Sequence, residues 1–413
     1  MNELISVSKA RELILEYFSP TEPTRIPLSE AYQRVLAEDV FSERDLPPFA
    51  NSAMDGYAVL AADVVEAGRE NTIILDVIGD LPAGHLPKEK VTPGKAIRVM
   101  TGALIPDGSD SVVPLEYTKI VDQIPGTNLP TRIEVFQSIQ RGDFIRPKGQ
   151  DGRAGELILP KGQQLRAQDI GILAMLGKDE VSIYRKPTVA IFSSGDELLQ
   201  IGLPPAPGKI YDSNLPMLSS LIAKYGGNVR NLGIVPDKLE AVRLSLDTAV
   251  SEQVDMILSS AGVSVGAFDF VRAVIEKQGE LGFWRVNMRP GKPLLVGRYK
   301  NIPFIGLPGN PVSAFVGFEV FIRSILLKMQ GVTEKARPVL QTILEESIES
   351  DGRESYLRAI VRYENGKWRS RLTGHQGSGN LISLVRANAL LLIPSGVKFL
   401  PIGSEVDAWL LSD

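Results

Sequence analysis

Short apolar runs alternate with longer amphipathic stretches along the chain, and the alternation is most regular from residue 186 onward. The apolar runs have the length of strands, and in the stretches between them apolar residues recur every three or four positions. Strands that alternate with helices predict a parallel sheet. The predicted strands are 188–192, 228–234, 255–259 and 303–307, and the predicted helices are 215–224, 238–253, 270–278 and one that begins at Val312.

The flanking regions have other patterns. Amphipathic stretches at 8–18 and 28–36 predict two N-terminal helices, and a third helix is predicted at 167–176. Residues 71–144 are rich in strand patterns, with strands predicted at 72–78, 96–100, 111–116 and 132–136. Beyond residue 328 the chain is again strand-like, at 341–344, 356–363, 367–372 and 389–394. This predicts a small C-terminal β-domain.

Length and composition narrow the class of protein. A chain of 413 residues exceeds one ordinary core, so roughly two to four domains are expected. The apolar content of 44% and charged content of 23% are typical of a globular protein, and a net charge of −4 gives no indication of nucleic-acid binding. The sequence has neither a signal-peptide pattern nor a run of 18 apolar residues, so we expect a cytoplasmic protein without membrane contact.

Residue types also exclude several chemistries. The chain has no Cys, which excludes disulfides, thiolate metal sites and a cysteine nucleophile. His85 and His375 are its only histidines, so a histidine-rich zinc site is excluded, and His375 is interpreted as a hydrogen-bonding loop residue. Any chemistry must therefore come from acidic and anion-binding loops.

The stretch 254–294 contains the clearest candidate site. An apolar strand at 254–258 leads into a loop of small residues, 259–266, and a helix follows from about Asp269. Such a loop exposes backbone N–H groups to an anion at the positive end of a helix, although it is equally often only a tight connection. Arg289 and Lys292 lie downstream in a turn stiffened by two prolines, and these two cations favour anion binding.

Acidic residues follow the ends of the predicted strands. Glu197, Asp237 and Asp269 each lie in a loop at the carboxyl end of a strand or before the following helix. Because ligands of open α/β sheets bind at these ends, we expect the three carboxylates on one rim, where they would hold a divalent metal bridging a phosphate. Asp55, in a rigid proline-rich loop, is either a turn carboxylate that caps its own backbone or a carboxylate that binds a cation or amine.

Together these segments resemble one family. They are PPFANSAMDGYAV at 47–59, MTGA at 100–103, SGDEL at 194–198, YDSN at 211–214, GVSVG at 262–266, RPGKP at 289–293 and GLPGNPVS at 306–313. In this order, over nearly the whole chain, they resemble the molybdopterin molybdenumtransferases, the bacterial MoeA family related to the E domain of gephyrin.

The resemblance implies a multidomain α/β plus β fold. A helical domain would consist of residues 1–43 and 144–183, with a β-rich domain, 44–143, inserted between them. A parallel α/β molybdopterin-binding domain, 184–328, and a C-terminal β-barrel domain, 329–413, would follow. The resemblance also implies an elongated homodimer whose active sites are composed from both subunits.

The implied reaction inserts molybdate into adenylylated molybdopterin, releases AMP and completes the molybdenum cofactor, with Mg²⁺ as the divalent cation. A molybdopterin adenylyltransferase would supply the substrate, and molybdoenzyme apo-proteins or cofactor carriers would receive the product. Neither nucleic acid nor a membrane is an expected partner.

The family's functional positions fall on residues of matching type. The implied catalytic residues are Asp55, Thr101, Glu197, Asp237 and Asp269, of which Glu197, Asp237 and Asp269 would hold the metal. The residues implied to bind the pterin substrate are Ser194, Gly195, Gly262, Val263, Ser264, Gly266, Arg285, Lys292, Pro308, Gly309 and Asn310. The implied molybdate residues are Arg289, Pro290, Ser313, Arg358 and Ser378. Ala261 stands where the family's loop often has glycine, which makes a positive φ costly there.

Two other readings remain open. An adenylyltransferase would share the α/β fold, but its loop is typically Gly-Gly-Thr-Gly rather than the sequence at 261–266. A scaffold that kept the fold but lost activity is the second alternative, although the four carboxylates Asp55, Glu197, Asp237 and Asp269 argue against it. The preference for molybdate over tungstate is left open by the sequence.

Overall fold

The computed structural model describes residues 4–127, 129–261, 270–333 and 337–411, without the side chains of residues 283 and 284. The chain forms two compact units. The first consists of Met1–Glu38, Lys161–Ile170 and Asp179–Asp413, and the second, the inserted unit, of Asp39–Pro160 and Gly171–Lys178.

The inserted unit is built on a six-stranded sheet. Its strands, in spatial order, are Ser111–Pro114, Gly56–Val59, Lys95–Val99, Ile73–Leu81, Pro130–Val135 and Thr118–Gln123. All neighbours are antiparallel except Ile73–Leu81 and Lys95–Val99. Tyr57 and Val59 pack into one apolar cluster and Ala58 into another, because side chains alternate between the faces of a strand. The centre of the sheet is therefore buried on both faces.

Shorter elements complete the inserted unit. They are the strand pairs Val40–Phe41 with Leu157–Leu159 and Asn51–Ser52 with Ile145–Arg146, the helix Ala61–Val64, and the 3₁₀ turn Leu115–Tyr117. The strand Asn51–Ser52 leads directly into the loop of Asp55, and its pairing with Ile145–Arg146 fixes the start of this loop.

The larger unit begins with the helix Val7–Leu15, which the Ser6 side chain caps by accepting the Lys9 N–H. The strand Pro23–Pro27 then pairs with Glu180–Tyr184. The predicted helix at 28–36 is wrong: only the 3₁₀ turn Leu28–Glu30 forms. Gln33 has a φ of +61°, which a right-handed helix does not permit, and Leu36 forms a β-bridge with Ile183.

The α/β part contains a six-stranded sheet. Its strands, in spatial order, are Asn228–Val235, Thr188–Ser194, Met256–Ser260, Ile302–Leu307, Pro293–Tyr299 and Gly279–Arg285. The first four are parallel, as predicted, and the last two pair antiparallel and were not predicted by the sequence analysis.

Helices cover both faces of this sheet. They are Asn214–Lys224, Leu239–Ser251, Phe270–Gln278 and Pro311–Gly317, the last continued by the π-helical turn Phe318–Ile322 and the helix Arg323–Met329. Val189 and Ile191 pack into one apolar core, and Ala190 and Phe192 into the other. The near-continuous apolar strands are thus explained by burial on both faces.

Five strands of the C-terminal region close into a barrel. In order around the ring they are Glu354–Glu364, Lys367–Leu372, Leu340–Leu344, Glu405–Leu410 and Ala389–Ile393, and the last pairs again with the first. Met288–Arg289 pairs with Glu354–Ser355 and so joins the α/β part to the barrel. The short elements Ile348–Glu349, Phe399–Leu400 and Leu381–Val385 complete this region.

These observations confirm the multidomain α/β plus β fold class. The predicted helix at 167–176 is observed as Ala167–Met175, and the predicted strands lie within a few residues of the observed ones. The strand pairs Leu198–Leu199 with Ile210–Tyr211, like Glu405–Leu410, were not predicted. The domain boundaries at 43/44, 143/144, 183/184 and 328/329 stay a prediction. Within the described residues, no helix is long and apolar enough to cross a membrane.

Candidate active site

The carboxyl ends of the parallel strands border a cleft of about 630 Å³. Because the four strands run in one direction, their carboxyl ends reach the same edge of the sheet. Ser194 is the last residue of the strand Thr188–Ser194, and Ser260 is the last residue of Met256–Ser260. Gly309 lies two residues after the end of the strand Ile302–Leu307. The cleft wall contains Ser194, Pro308, Gly309 and Asn310, which were predicted to bind the substrate, and Glu197, which was predicted to hold the metal.

Two acidic loops are tied together at this edge. The Asp237 carboxylate accepts the hydroxyl of the buried Ser194. The backbone N–H of Asp237 donates to Asp196 Oδ1 at 3.1 Å, and the Asp196 N–H donates to Asp237 Oδ2 at 3.4 Å. These reciprocal contacts hold Asp237 and the loop of Glu197 next to each other.

Glu197 is exposed, and its carboxylate folds back over Gly195. A Cβ added to Gly195 would lie only 2.7 Å from Glu197 Oε2, so glycine leaves the space that this carboxylate occupies. Glu197 and Asp237 each carry carboxylate oxygens, the type of ligand that Mg²⁺ prefers. The described residues contain no group of three or more acidic or histidine side chains arranged to hold a metal. The third predicted ligand, Asp269, lies outside the described residues.

Several other predicted residues have the same status. Gly262, Val263, Ser264 and Gly266 also lie outside the described residues, so the predicted phosphate loop is represented only by the strand before it and the helix Phe270–Gln278 after it. Ala261, the last described residue before this loop, has a φ of +75°. Ala261 therefore has the positive φ that the sequence analysis expected to be costly for alanine.

Arg358 lies on the barrel strand Glu354–Glu364 and is fully buried. Its Nε donates to Ser383 Oγ at 3.0 Å, and its Nη2 donates to the carbonyl oxygens of Gly377, at 3.0 Å, and His375, at 3.4 Å. All three acceptors are neutral, and Nη1 has no hydrogen-bond partner among the described residues. Burial, and secondly the positive charge of Arg289, lowers the pKa of Arg358 to about 10. A buried cation without a carboxylate partner is expected to attract an anion.

The other predicted molybdate residues surround the same region. The Asn310 side chain donates to Ser378 Oγ at 3.0 Å, and the Val312 N–H donates to the carbonyl oxygen of Ser378 at 3.1 Å. Pro290 and Ser313 are buried, and the Gly291 backbone lies against Ser313. The loop that contains Ser378 therefore reaches the cleft, because it contacts Asn310, a residue of the cleft wall.

Two predicted cations lie on the neighbouring hairpin. Arg285 ends the strand Gly279–Arg285, where it is opposite Pro293. The Val286 N–H donates to the carbonyl oxygen of Lys292 at 2.9 Å, which closes the turn, and the Lys292 side chain is exposed. Pro293, directly after Lys292, lines the cleft.

Asp55 and Thr101 form a separate pair within the inserted unit. Asp55 Oδ1 accepts both the backbone N–H and the hydroxyl of Thr101, each at 2.7 Å. These two donors, the backbone N–H first, hold the pKa of the Asp55 carboxyl below its usual value. Asp55 is exposed and stays ionised, and the described hydrogen bonds of its carboxylate are with Thr101, 46 residues away, and not with its own turn.

The sequence analysis missed residues that shape both regions. Asp212 and Asn214 are buried in the cleft wall, and Ser383 positions the Arg358 guanidinium. The segment YDSN at 211–214 was among the family-like motifs, but it received no role. Ser383 lies in a region without a recognised motif, so no sequence signal indicated it. His375 is a hydrogen-bonding loop residue, as predicted, because its ring accepts the Gly377 N–H at 3.4 Å.

Comparison with known proteins gives the same assignment along the whole chain. Residues 5–177 match the MoeA N-terminal region (domain I and II), residues 190–328 a probable molybdopterin binding domain, and residues 341–411 the MoeA C-terminal region (domain IV). A molybdopterin molybdenumtransferase of Nostoc sp. is 37% identical over 92% of this chain and 87% of its own length. The enzyme of the same name from Haemophilus influenzae is 35% identical over 94% of both chains.

A solved structure extends the similarity to the fold. The molybdopterin biosynthesis moeA protein from Pyrococcus horikoshii OT3 has a TM-score of 0.82 and 34% identity, over 99% of this chain and 100% of its own. The motifs, the cleft, the buried arginine and these full-length similarities agree, and we conclude that the chain belongs to the molybdopterin molybdenumtransferase (MoeA) family.

Proposed function

We propose that this protein is a molybdenum insertase, which transfers molybdate into adenylylated molybdopterin, releases AMP and so forms the molybdenum cofactor. The observation that carries the proposal is Arg358, a fully buried cation that donates to neutral acceptors and whose Nη1 has no partner in the described part of the chain. It lies beside a second cation, Arg289, close to a cleft of the size of a nucleotide-like ligand.

Molybdate suits this group of residues. It is a tetrahedral dianion, so Arg358 and Arg289 would offset its charge, and Ser313 and Ser378 would donate hydroxyl hydrogen bonds, with Pro290 shaping the turn. Each hydrogen bond between a charged donor and an oxyanion is expected to contribute about 1.5–3 kcal/mol. Burial strengthens this interaction because water does not compete for the Arg358 N–H groups.

The adenylylated pterin would lie in the cleft. Ser194, Gly195, Pro308, Gly309 and Asn310 form or border its wall, and Arg285 and Lys292 lie on the hairpin before Pro293. We assign the phosphoanhydride to this edge of the sheet, with Gly262, Val263, Ser264 and Gly266 as further ligands. The dithiolene sulfurs of the substrate bind the metal themselves, so no protein nucleophile is required, in agreement with the lack of Cys.

Magnesium is the divalent cation of this proposal. Glu197 and Asp237 would hold it, with Asp269 as a third ligand, because all three supply carboxylate oxygens. Bound Mg²⁺ would neutralise part of the phosphoanhydride charge. The chain itself orients Asp237 through the Ser194 hydroxyl and the Asp196 N–H.

Partners and location complete the proposal. We propose a cytoplasmic homodimer in which Asp55 and Thr101 of one subunit complete the site of the other. The substrate would come from a molybdopterin adenylyltransferase, and the product would pass to molybdoenzyme apo-proteins or cofactor carriers.

The direct test is AMP release. Purified protein with adenylylated molybdopterin and Mg²⁺ should release AMP when molybdate is added, and not before. An adenylyltransferase would instead consume ATP and free molybdopterin, and an inactive scaffold would release no AMP. Failure of AMP release by folded protein would contradict the proposal.

Two variants test the assignment of Arg358. Arg358→Ala and Ser378→Ala should raise the molybdate concentration needed for half-maximal AMP release about ten- to a hundredfold, since each loses one strong contact. Binding of the pterin substrate should be unchanged. Arg362→Ala is the matched control, because Arg362 lies on the same strand but pairs with Glu345 at the surface. Equal losses for both substrates, or in the control, would contradict separate subsites.

A further inference from the structure

Two buried side-chain oxygens on residues of the cleft wall have no hydrogen-bond partner among the described residues. Asp212 is only 4% exposed, and its Oδ1 accepts the N–H groups of Asn214, at 2.9 Å, and Leu215, at 3.2 Å. Its Oδ2 has no partner among the described residues. Asn214 is 7% exposed, and its Oδ1 also has no partner in the described part of the chain.

The orientation of both side chains is fixed. Asn214 Nδ2 donates to Ser260 Oγ and to the carbonyl oxygen of Gly309, both at 2.7 Å. A carbonyl oxygen cannot donate, so the amide cannot be reversed, and Oδ1 must be the atom without a partner. Asp212 Oδ1 is held by the first turn of the helix Asn214–Lys224, which leaves Oδ2 as a second fixed acceptor.

Both residues line the cleft already described. Asp212 also borders a second cavity, of about 570 Å³, on the side of Gln200 and Ile201. Buried acceptors without donors are destabilising, and folded proteins keep few of them unless they serve a ligand. A carboxylate and an amide oxygen together match a ligand that presents N–H groups.

We propose that Asp212 and Asn214 bind the N–H donor edge of a nitrogen heterocycle of the substrate, an inference that rests on the proposed function. The adenylylated pterin contains two such edges. The aminopyrimidinone ring of the pterin presents a ring N–H next to an exocyclic amine, and adenine presents one exocyclic amine. Both would offer N–H donors to Asp212 Oδ2 and Asn214 Oδ1, which have no partner among the described residues.

The test compares amino with oxo analogues, because a site built to accept N–H groups rejects a ligand that presents an oxygen instead. One arm measures binding of 6,7-dimethylpterin and 6,7-dimethyllumazine to the full-length protein by calorimetry, and the other arm measures AMP and inosine monophosphate. In at least one arm we expect the amino form to bind about tenfold tighter or more. The arm with this preference identifies the ring.

Asp212→Asn should remove that preference. Asn keeps an oxygen that caps the helix, but it presents an N–H₂ group to the ligand in place of Oδ2, so the amino form should bind at least about tenfold more weakly. Asp212→Ser retains a capping hydroxyl and removes Oδ2, and it should show the same loss if Asp212→Asn does not fold.

Two controls make the result specific. Asp110→Asn is the first control. The Asp110 carboxylate also accepts a backbone N–H, from Ala61, but Asp110 lies in the inserted unit. This variant should keep the wild-type preference. Ile201→Trp fills the second cavity and should keep it too. The inference is overturned if the wild type shows no preference in either arm, if folded Asp212 variants retain it, or if Ile201→Trp abolishes it.

The same preparations separate this inference from the proposed function. Wild-type protein without molybdate-dependent AMP release would contradict the insertase proposal, whatever the binding results. Active wild type whose Asp212 variants keep the amino preference would contradict only the role of Asp212 and Asn214.

Discussion

At the scale of single residues, the two candidate regions treat charge in opposite ways. Arg358 is fully buried with neutral acceptors, which lowers its pKa to about 10, so its charge is costly until an anion arrives. Asp55 is exposed and receives two donors from Thr101, which lowers its pKa and keeps it charged. One region is therefore suited to binding an anion, and the other presents a stable negative charge.

Thr101→Val should raise the pKa of the Asp55 carboxyl toward its usual value. Valine removes the hydroxyl donor but keeps the backbone N–H, so part of the stabilisation of the carboxylate is lost. Because the folded-state pKa of Asp55 is depressed, its charge is present above that pKa and disappears as the pH falls through it. In the variant this loss should begin at a higher pH, which ¹³C NMR titration of the labelled carboxyl would measure.

The acid limb of the activity profile should move in the same direction. Thr101→Ser retains the hydroxyl and is the control, which should titrate as the wild type does. An unchanged Asp55 titration in a folded Thr101→Val protein would show that the hydroxyl does not control this pKa.

Ala261→Gly should stabilise the protein. Ala261 has a φ of +75°, where an L-residue with a Cβ is strained by about 1–2 kcal/mol and glycine is not. The greater freedom of glycine in the unfolded chain offsets part of this gain, so the net increase in unfolding free energy should be about 0.5–1 kcal/mol. Urea unfolding monitored by tryptophan fluorescence would measure it, and a decrease in the midpoint would refute the strain.

At the scale of elements, glycine at the start of the strand Gly56–Val59 permits an unusually close strand pair. A Cβ at Gly56 would lie 2.1 Å from the carbonyl oxygen of Val113 on the neighbouring strand Ser111–Pro114. Neither backbone can withdraw without breaking the ladder. The position of Asp55, one residue earlier, depends on this contact.

Gly56→Ala should therefore destabilise the inserted unit by about 1–3 kcal/mol and displace the Asp55 loop. Hydrogen–deuterium exchange of the amides in Gly56–Val59 and Ser111–Pro114 should become faster. Gly68→Ala is the control, because an added Cβ there has nothing within 4 Å. Similar exchange in both variants would contradict the role of the close contact.

Elements were predictable from the sequence where periodicity was strong. The four parallel strands are apolar along their whole length because both faces are buried, and this produced a clear signal. The edge strand Gly279–Arg285 mixes glycine with charged residues, and its pairing with Pro293–Tyr299 is irregular in register, so no local pattern revealed it. The helix predicted at 28–36 was wrong. Its residues have a helical pattern, but tertiary pairing such as the bridge between Leu36 and Ile183 outweighs this local preference.

The candidate site was predictable to a similar extent. Glu197 and Asp237 were indicated by their loops at strand ends, and Arg358 was indicated only by the family resemblance. The residues that orient them, such as Ser383, whose Oγ accepts the Arg358 Nε–H, lie far away in sequence or carry no motif, and only the folded chain brings them together. That Asp212 and Asn214 each carry an oxygen without a partner among the described residues depends on atom positions and does not follow from residue type.

At the scale of the whole molecule, the proposed composite dimer can be tested by mixing two inactive variants. Asp55→Asn and Glu197→Gln should each abolish AMP release. If each site takes Asp55 from one subunit and Glu197 from the other, a mixed dimer has one doubly altered site and one intact site. After dissociation and random reassociation, about a quarter of all sites should recover activity.

Exchange of subunits must be verified independently, for example by mass spectrometry of differently tagged chains. Each variant mixed only with itself is the control and should remain inactive. A mixture that exchanges subunits and stays inactive would show that both carboxylates serve a site within one chain.

The junction where the inserted segment leaves the larger unit has a consequence for how the protein can change. The Leu36 N–H donates to Gln163 at 3.0 Å, and the Gly162 N–H donates to Leu36 at 2.8 Å, so the chain returns beside the point where it left. The antiparallel bridge between Val35 and Gln164 lies next to these two contacts, within the larger unit. Insertions or exchanges of this segment during evolution, or by protein engineering, would leave the register of the host strands unchanged.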